Sequence, residues 1–273
     1  MQKVFNLDQN KPAPVTRQTI TLFRYLMLSI INRRLFVALF AIVLIAIFGN
    51  LFVQQLALID GTNIGSALQA ELLRYSLIFL MLLTIVSSIA EDYEAKQFER
   101  LLSMPLSRWQ YIAAQFLVIV SLSAILLVAV IVSMSLTSQL ELAVYWGLAL
   151  WFELVMVGSI ALLAGLSLEK VPAAVMLTIS LYLLSRLAPL IDQMLTQSAE
   201  FSDGSLSSLF AEKLFNVITF ILPGEGAFAV NNVFFKSVDI YSALMKQWQF
   251  SLIYSFFIIS VVMIDFYRKE FNL

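Results

Sequence analysis

Two charged residues interrupt apolar stretches of this sequence at positions where they could do chemistry. Glu153 and Arg186 each lie within a long stretch that is otherwise almost wholly apolar. Counted from the turn at 169–172 that joins these stretches, each residue lies about 14 to 16 positions in, or roughly 21 to 24 Å at 1.5 Å per helical residue. We therefore expect the two side chains to lie at a similar depth, where they can pair.

An ionised side chain inside a membrane needs a partner or a wet cavity, because a lone charge there costs ~2.5 to 3.5 kcal/mol on insertion scales. Two interpretations of Glu153 and Arg186 follow. The pair either lines a substrate path or proton relay, or it locks two neighbouring helices together. We favour the lock.

A second charged cluster follows the second apolar stretch. Its four carboxylates and two basic residues are spaced at or near i, i+4: Glu91, Asp92, Glu94, Glu99, Lys96 and Arg100. This spacing is typical of a solvated, salt-bridged helix rather than of a metal or acid/base cluster. Phe98, Leu101 and Leu102 add an apolar face, so we expect a helix that docks onto another protein. The alternative is a plain amphipathic linker on the membrane surface.

The residue types exclude much catalytic chemistry. The chain has no cysteine and no histidine, which removes thiolate and imidazole catalysis and metal binding through those side chains. It also lacks the Gly-x-x-x-x-Gly-Lys-Ser/Thr loop that cradles nucleotide phosphates. No soluble basic surface for nucleic acid is evident. We expect no catalytic residues, no metal and no cofactor.

The elements that position these residues are membrane helices. The 273 residues are 60% hydrophobic and 13% charged, with a mean hydropathy of +0.89. Apolar blocks of roughly 20 residues match the thickness of a bilayer, so we predict an all-α integral membrane protein. Six spans are predicted, at Leu35 to Leu58, Leu72 to Ala90, Tyr111 to Leu136, Ala143 to Leu168, Ala173 to Thr196 and Gln249 to Tyr267.

The distribution of basic residues predicts the orientation of these spans. Twelve of the seventeen Lys and Arg residues fall on the side that holds both termini, the segment at 91–108 and the turn at 169–170. By the positive-inside rule this side is cytosolic. Arg74, Glu141, Asp192 and Asp265 are predicted to flank the spans near the interface.

Two further segments complete the predicted architecture. Residues 1–34 form a cytosolic N-terminus with an interfacial elbow helix, in which Ile20, Phe23, Met27, Ile30 and Ile31 share the apolar face, ahead of a transmembrane domain at 35–273. The alternative is a charged flank that only anchors topology. The external segment at about 197–246 has an apolar run at 214–222 followed by Pro and Gly, which predicts a re-entrant or interfacial helix.

The run from Tyr93 to Trp109 resembles the segment after the second span of type-2 ABC exporter permeases. It contains the pattern Leu-Leu-Ser-x-Pro-x-Ser-Arg after a Glu-rich helix. The resemblance implies a coupling helix at about 91–104 that seats in a groove of an ATPase subunit. The matching positions are Glu94, Phe98, Glu99, Leu101, Leu102, Pro105, Ser107 and Arg108. Lys96 and Gln97 depart from the pattern, since the family often has Gly-Thr there.

The resemblance implies a permease subunit of an ATP-driven transporter, most naturally an exporter, in a bacterial inner membrane. Its expected partners are a separate nucleotide-binding subunit, a second or related permease copy, and membrane lipid. Two other classes stay open. An ion-coupled carrier would use Glu153 and Arg186 and need no ATPase. A membrane enzyme would work near the external acidic residues at 200–225, although no motif with catalytic spacing occurs there.

Overall fold

The structure is a computed structural model that describes residues 15–31, 34–56, 61–94, 108–136, 138–168, 170–201 and 240–268. All regular secondary structure in these ranges is α-helical, as the composition predicts. The helices are α1 (Val15–Ile31), α2 (Arg34–Leu56), α3 (Gly61–Glu94), α4 (Arg108–Ser135), α5 (Leu140–Leu168), α6 (Val171–Phe201) and α7 (Ile240–Arg268).

Five helices in the described part are long and apolar enough to cross a membrane. They lie at Gly65–Tyr93, Arg108–Ser135, Leu140–Leu168, Val171–Ala188 and Tyr241–Arg268, and they correspond to the second through sixth predicted spans. In α2, the helix of the first predicted span, the stretch that qualifies as apolar is shorter, at Val37–Phe52. The chain is therefore an integral membrane protein by length and composition, and the first of the six predicted spans stays a prediction.

Several helices extend beyond their predicted ends. α3 begins at Gly61 rather than near Leu72, and it continues through Glu94, so that 91–94 form its last turn. α7 begins at Ile240, nine residues before the predicted Gln249. Most of the external segment predicted at 197–246, including the run at 214–222, lies outside the described residues.

α5 forms the centre of the bundle and packs against α3, α4, α6 and α7. Glycines allow this close packing. A Cβ atom built on Gly158 would lie 2.6 Å from a methyl carbon of Ile119 on α4, and one built on Gly165 would lie 2.9 Å from Ile89 on α3. Because a side chain at either position would displace its neighbour, α3, α4 and α5 are held at short interaxial distance.

α1 packs on α4 through one stripe of residues. Leu22, Leu26 and Ile30 are buried at four-residue spacing, and Phe23 and Met27 pack beside them. Of the residues predicted on the apolar face, Ile20 does not join this packing and is exposed. This buried stripe packs α1 against the bundle. The location of α1 in the membrane interface stays a prediction.

Four helix ends meet at one end of the bundle: the last turns of α3, α5 and α7 and the first turn of α4. The Tyr93 hydroxyl donates to the Leu166 carbonyl at 3.0 Å, and Ser167 donates to Asp265 at 2.8 Å. These are the segments that the charge distribution assigns to one side of the membrane.

Candidate functional site

The structure brings Glu153 and Arg186 together. Glu153 is on α5 and Arg186 on α6, and Arg186 Nη1 lies 3.1 Å from Glu153 Oε1. The carboxylate is 1% exposed and the guanidinium 12%. The two helices are antiparallel and joined by a tight turn, and the two residues lie at equal distances from that turn. Their side chains therefore lie side by side, as the residue count predicts.

A second arginine, Arg74 on α3, contacts the same carboxylate. Its Nε lies 3.4 Å from Glu153 Oε2, and its side chain is 1% exposed. α3 begins at Gly61, so Arg74 lies more than three turns from the start of this helix and is buried against its neighbours. Its predicted location near the membrane interface stays a prediction.

Glu71 completes the group, and sequence reasoning missed it. One of its oxygens accepts from Arg74 Nη1 at 2.6 Å, and the other lies 3.5 Å from Arg186 Nη2. Its side chain is 41% exposed. We call Glu71, Arg74, Glu153 and Arg186 the charge network. Two carboxylates balance two guanidinium groups, so the network is neutral as a whole.

Two tyrosines contact the network, the buried Tyr182 and the exposed Tyr75. Tyr182 on α6 donates its hydroxyl to Glu153 Oε1 at 2.8 Å, and Arg186 Nε donates to the hydroxyl of Tyr75 on α3 at 3.0 Å. The Arg186 guanidinium also lies 5.3 Å from the centre of the Tyr75 ring. Arg186 is thus fixed by a carboxylate, a hydroxyl and a ring face, which together hold its planar fork in one orientation.

Trp146 lies on the inner side of the network. This residue of α5 is fully buried, and its ring centre is 5.2 Å from the Arg74 guanidinium carbon. Its indole Nε1 is buried and has no hydrogen-bond partner in the described part of the chain. The same holds for Arg74 Nε and for the hydroxyl of Ser185, which is also buried.

The four charges of the network pair with one another across three helices, an arrangement that favours the lock over the substrate path. Three helices contribute these charges, and removal of the buried Glu153 would leave Arg74 and Arg186 with only the partly exposed Glu71 as a carboxylate partner. No group of three or more His, Cys, Asp or Glu side chains that could hold a metal occurs in the described ranges. The buried half, with Arg74 and Glu153, suits a structural role, while the exposed half, with Glu71 and Tyr75, faces outward.

A separate polar cluster lies at the end of the bundle where α3 stops and α4 starts. We call it the end cluster: Asp92, Tyr93, Arg108, Tyr111 and Gln115. Tyr111 donates to Asp92 at 3.0 Å and accepts from Gln115 Nε2 at 2.9 Å. Asp92 is buried, so its prediction as part of a solvated helix face was wrong. The feature of the sequence that could have indicated this cluster is the pair of polar residues Tyr111 and Gln115, which lie four positions apart on α4.

Arg108 connects the end cluster to the last helix. Its Nη1 donates to the carbonyls of Phe266 and Tyr267 at 3.1 Å each, at the C-terminal turn of α7. Carbonyls there lack intrahelical donors, and a positive charge suits that end of the helix dipole. The Tyr111 ring also stacks on Phe266, with centres 5.9 Å apart.

The other predicted coupling positions fall outside these contacts. Glu94 is the last residue of α3, and its side chain lies outside the described residues. The same holds for the whole of Phe98, Glu99, Leu101, Leu102, Pro105 and Ser107. Arg108 is thus the one coupling position whose side-chain contacts the structure describes.

Searches with protein-family models and among curated proteins found no match to this chain.

Proposed function

We propose that this chain is the membrane-spanning permease subunit of an ATP-driven ABC exporter of a bacterial inner membrane, with both termini cytosolic. A separate nucleotide-binding subunit would hydrolyse ATP, and a second permease copy would complete the complex. The observation that carries the proposal is the run from Tyr93 to Trp109 with its likeness to a coupling helix.

The end cluster supports this proposal mechanically. The segment at 95–107 is attached at one side to α3 and at the other to α4. Asp92 and Tyr111 join these two helices, and Arg108 joins α4 to α7. Because Tyr93 also reaches the end of α5, a force applied to the segment would act on four span-length helices at once.

The predicted docking face can be tested by two substitutions. Phe98→Ala or Glu99→Lys should lower the stimulation of the partner ATPase by this permease while leaving membrane insertion unchanged. Matched controls are Phe256→Ala and Glu141→Lys, since both native residues are exposed on helices away from the segment. Unchanged ATPase stimulation in both test variants would remove the proposal.

A second candidate is an ion-coupled carrier, and the buried charges of the network favour it. Charged residues inside membrane helices often mark ion or substrate paths. A carrier would work without an ATPase, so the discriminating observation is whether an ATP-binding subunit accompanies the purified chain. Neutrality of the network and its four-way pairing favour the lock instead.

A further inference from the structure

α1 carries apolar side chains on two opposite faces. One face is the buried stripe of Leu22, Leu26 and Ile30, which packs on the bundle. On the other side Ile20 is 58% exposed and Leu28 is 50% exposed. Each lies two residues from a member of the stripe, and two residues turn an α-helix by about 200°. The side of α1 that points away from the bundle is therefore apolar as well.

An arginine lies in the middle of this second surface. Arg24 is exposed one helical turn from both Ile20 and Leu28, and the exposed Tyr25 is next to it. We call Ile20, Arg24, Tyr25 and Leu28 the outer face. An arginine stem can lie along apolar neighbours while its guanidinium reaches a polar layer, and tyrosine is enriched at membrane surfaces for the same reason. The outer face thus has the composition of a helix surface that lies between hydrocarbon and headgroups.

No carboxylate in the neighbouring sequence balances the positive charge of this region. Residues 9–59 contain no Asp or Glu and five basic residues: Lys11, Arg17, Arg24, Arg33 and Arg34. Arg34, the first residue of α2, is exposed, and neither it nor Arg24 forms an ion pair with any residue that the structure describes. The two arginines of the charge network, by contrast, both contact a carboxylate. The region of α1 therefore calls for an anion from outside the chain.

The position of Arg34 indicates where that anion lies. α1 ends at Ile31, α2 begins at Arg34, and the apolar stretch of α2 begins at Val37. Where the predicted first span enters the bilayer near Val37, Arg34 lies within about 5 Å of the hydrocarbon at 1.5 Å per residue. Lipid headgroups occupy this level. Clusters of about four to eight basic residues beside a membrane helix are typical of sites for anionic lipids.

We propose that the outer face, together with Arg34, binds the headgroups of anionic phospholipids. The guanidinium of Arg24 pairs with phosphate oxygens, because its planar fork matches them in shape and charge. Ile20 and Leu28 contact the acyl chains. A phospholipid offers an apolar chain and an anion in one molecule, and the outer face presents the counterpart of both. This lipid site is separate from transport and does not depend on what drives the bundle.

The relative affinity of the outer face for two lipids tests the proposal. The chain has no cysteine, so Leu28→Cys provides a single attachment point for a fluorescent bimane on this face. The full chain is reconstituted in mixed bilayers of phosphatidylglycerol and phosphatidylcholine, and the acyl chains of one lipid at a time carry bromine, which quenches the bimane. The ratio of the two quenching efficiencies gives the relative binding constant. We expect a preference for phosphatidylglycerol of at least about fivefold, since each basic residue near an anionic surface contributes a factor of this size.

Three further variants, each made in the Leu28→Cys chain, assign the preference to the outer face. Arg24→Gln should lower it by about fivefold, whereas Arg24→Lys should keep most of it because the charge remains. Arg268→Gln is the matched control, since it also removes one exposed positive charge, but at the end of α7. It should leave the preference unchanged. Because Arg24 is exposed, its variants should melt at nearly the same temperature as the parent chain, which excludes misfolding as the cause.

Two results would overturn the proposal. Equal quenching by the two lipids in the chain that retains Arg24 would remove the lipid site and leave a protein as the occupant of the outer face. An equal loss of preference in Arg268→Gln and Arg24→Gln would show a general attraction between the bilayer and the charge of the chain. The measurement uses neither ATP nor an ATPase, so its outcome is independent of the coupling experiment on Phe98 and Glu99.

Discussion

The charge network and the end cluster hold the same bundle in different ways. The network joins α3, α5 and α6 with four full charges, most of them buried. The end cluster joins α3, α4, α5 and α7 with hydroxyls, backbone carbonyls, one carboxylate and one guanidinium that do not pair with each other. Breaking a buried ion pair costs about 3 to 5 kcal/mol, while a hydrogen bond with one charged partner contributes about 1.5 to 3 kcal/mol. We therefore expect the end that faces the predicted ATPase to rearrange more easily than the network.

Loss of the central carboxylate should have the largest effect. Glu153→Gln removes the buried anion that Arg74 and Arg186 share and leaves them only the partly exposed Glu71, so we expect a loss of about 3 to 5 kcal/mol in unfolding free energy. Thermal unfolding of the purified chain, followed by circular dichroism, measures it. Glu141→Gln, at the exposed start of α5, should be within about 0.5 kcal/mol of the native chain. Equal stability of the two variants would contradict the lock.

Exchanging the charges of Glu153 and Arg186 tests whether Arg74 also contributes to the lock. In a two-member pair, Glu153→Arg combined with Arg186→Glu would restore the attraction. Here the new arginine would face Arg74, which is 1% exposed. We therefore expect the double variant to stay at least about 2 kcal/mol less stable than the native chain, as an unpaired buried charge does. Full recovery would show that Arg74 does not act on this site.

Packing between α4 and α5 provides the next test. Gly158→Leu would force a side chain against Ile119 and Met81, and we expect a loss of about 1 to 3 kcal/mol. Gly49→Leu on α2 meets nothing within 4 Å and is the matched control, expected to be neutral or slightly stabilising. The measurement is the melting temperature of each of the two variants. A control that is equally destabilised would point to the helix itself rather than to the close contact.

The smallest effect on stability should come from Arg108. Arg108→Gln removes a charged donor from two α7 carbonyls and should cost about 1 kcal/mol. If the end cluster transmits force, ATPase stimulation should fall further than stability does, and Arg108→Lys should recover part of it. Arg268→Gln, exposed at the end of α7, is the control. If stability falls while ATPase stimulation is unchanged, Arg108 only caps the C-terminal end of α7 and does not transmit force.

Sequence reasoning predicted a contact correctly where both residues could be counted from one nearby turn. Glu153 and Arg186 were matched by counting from a tight turn, because α-helical rise is constant. It failed for α3, because this helix is longer than the apolar stretch from which the span was predicted. α3 extends eleven residues before the predicted Leu72, so Glu71 lay outside the predicted span and was missed.

Asp92 shows a second limit. Its neighbours Glu91 and Glu94 suggest a solvated face, yet Asp92 is buried because Tyr111, nineteen residues later in the sequence, turns towards it. Whether a charge is solvated depends on the partner that another helix presents. Periodicity within one helix carries no information about that partner.

The central claim is that a separate ATPase drives this bundle through the segment between α3 and α4. It is tested most directly by purifying the chain from its native membranes in mild detergent, with and without the double change Phe98→Glu and Leu102→Glu. We predict a roughly stoichiometric ATP-binding subunit with the native chain and its loss from the double variant, while both chains stay folded. Purification without any ATPase, under conditions that keep other membrane complexes whole, would contradict the account and favour the carrier.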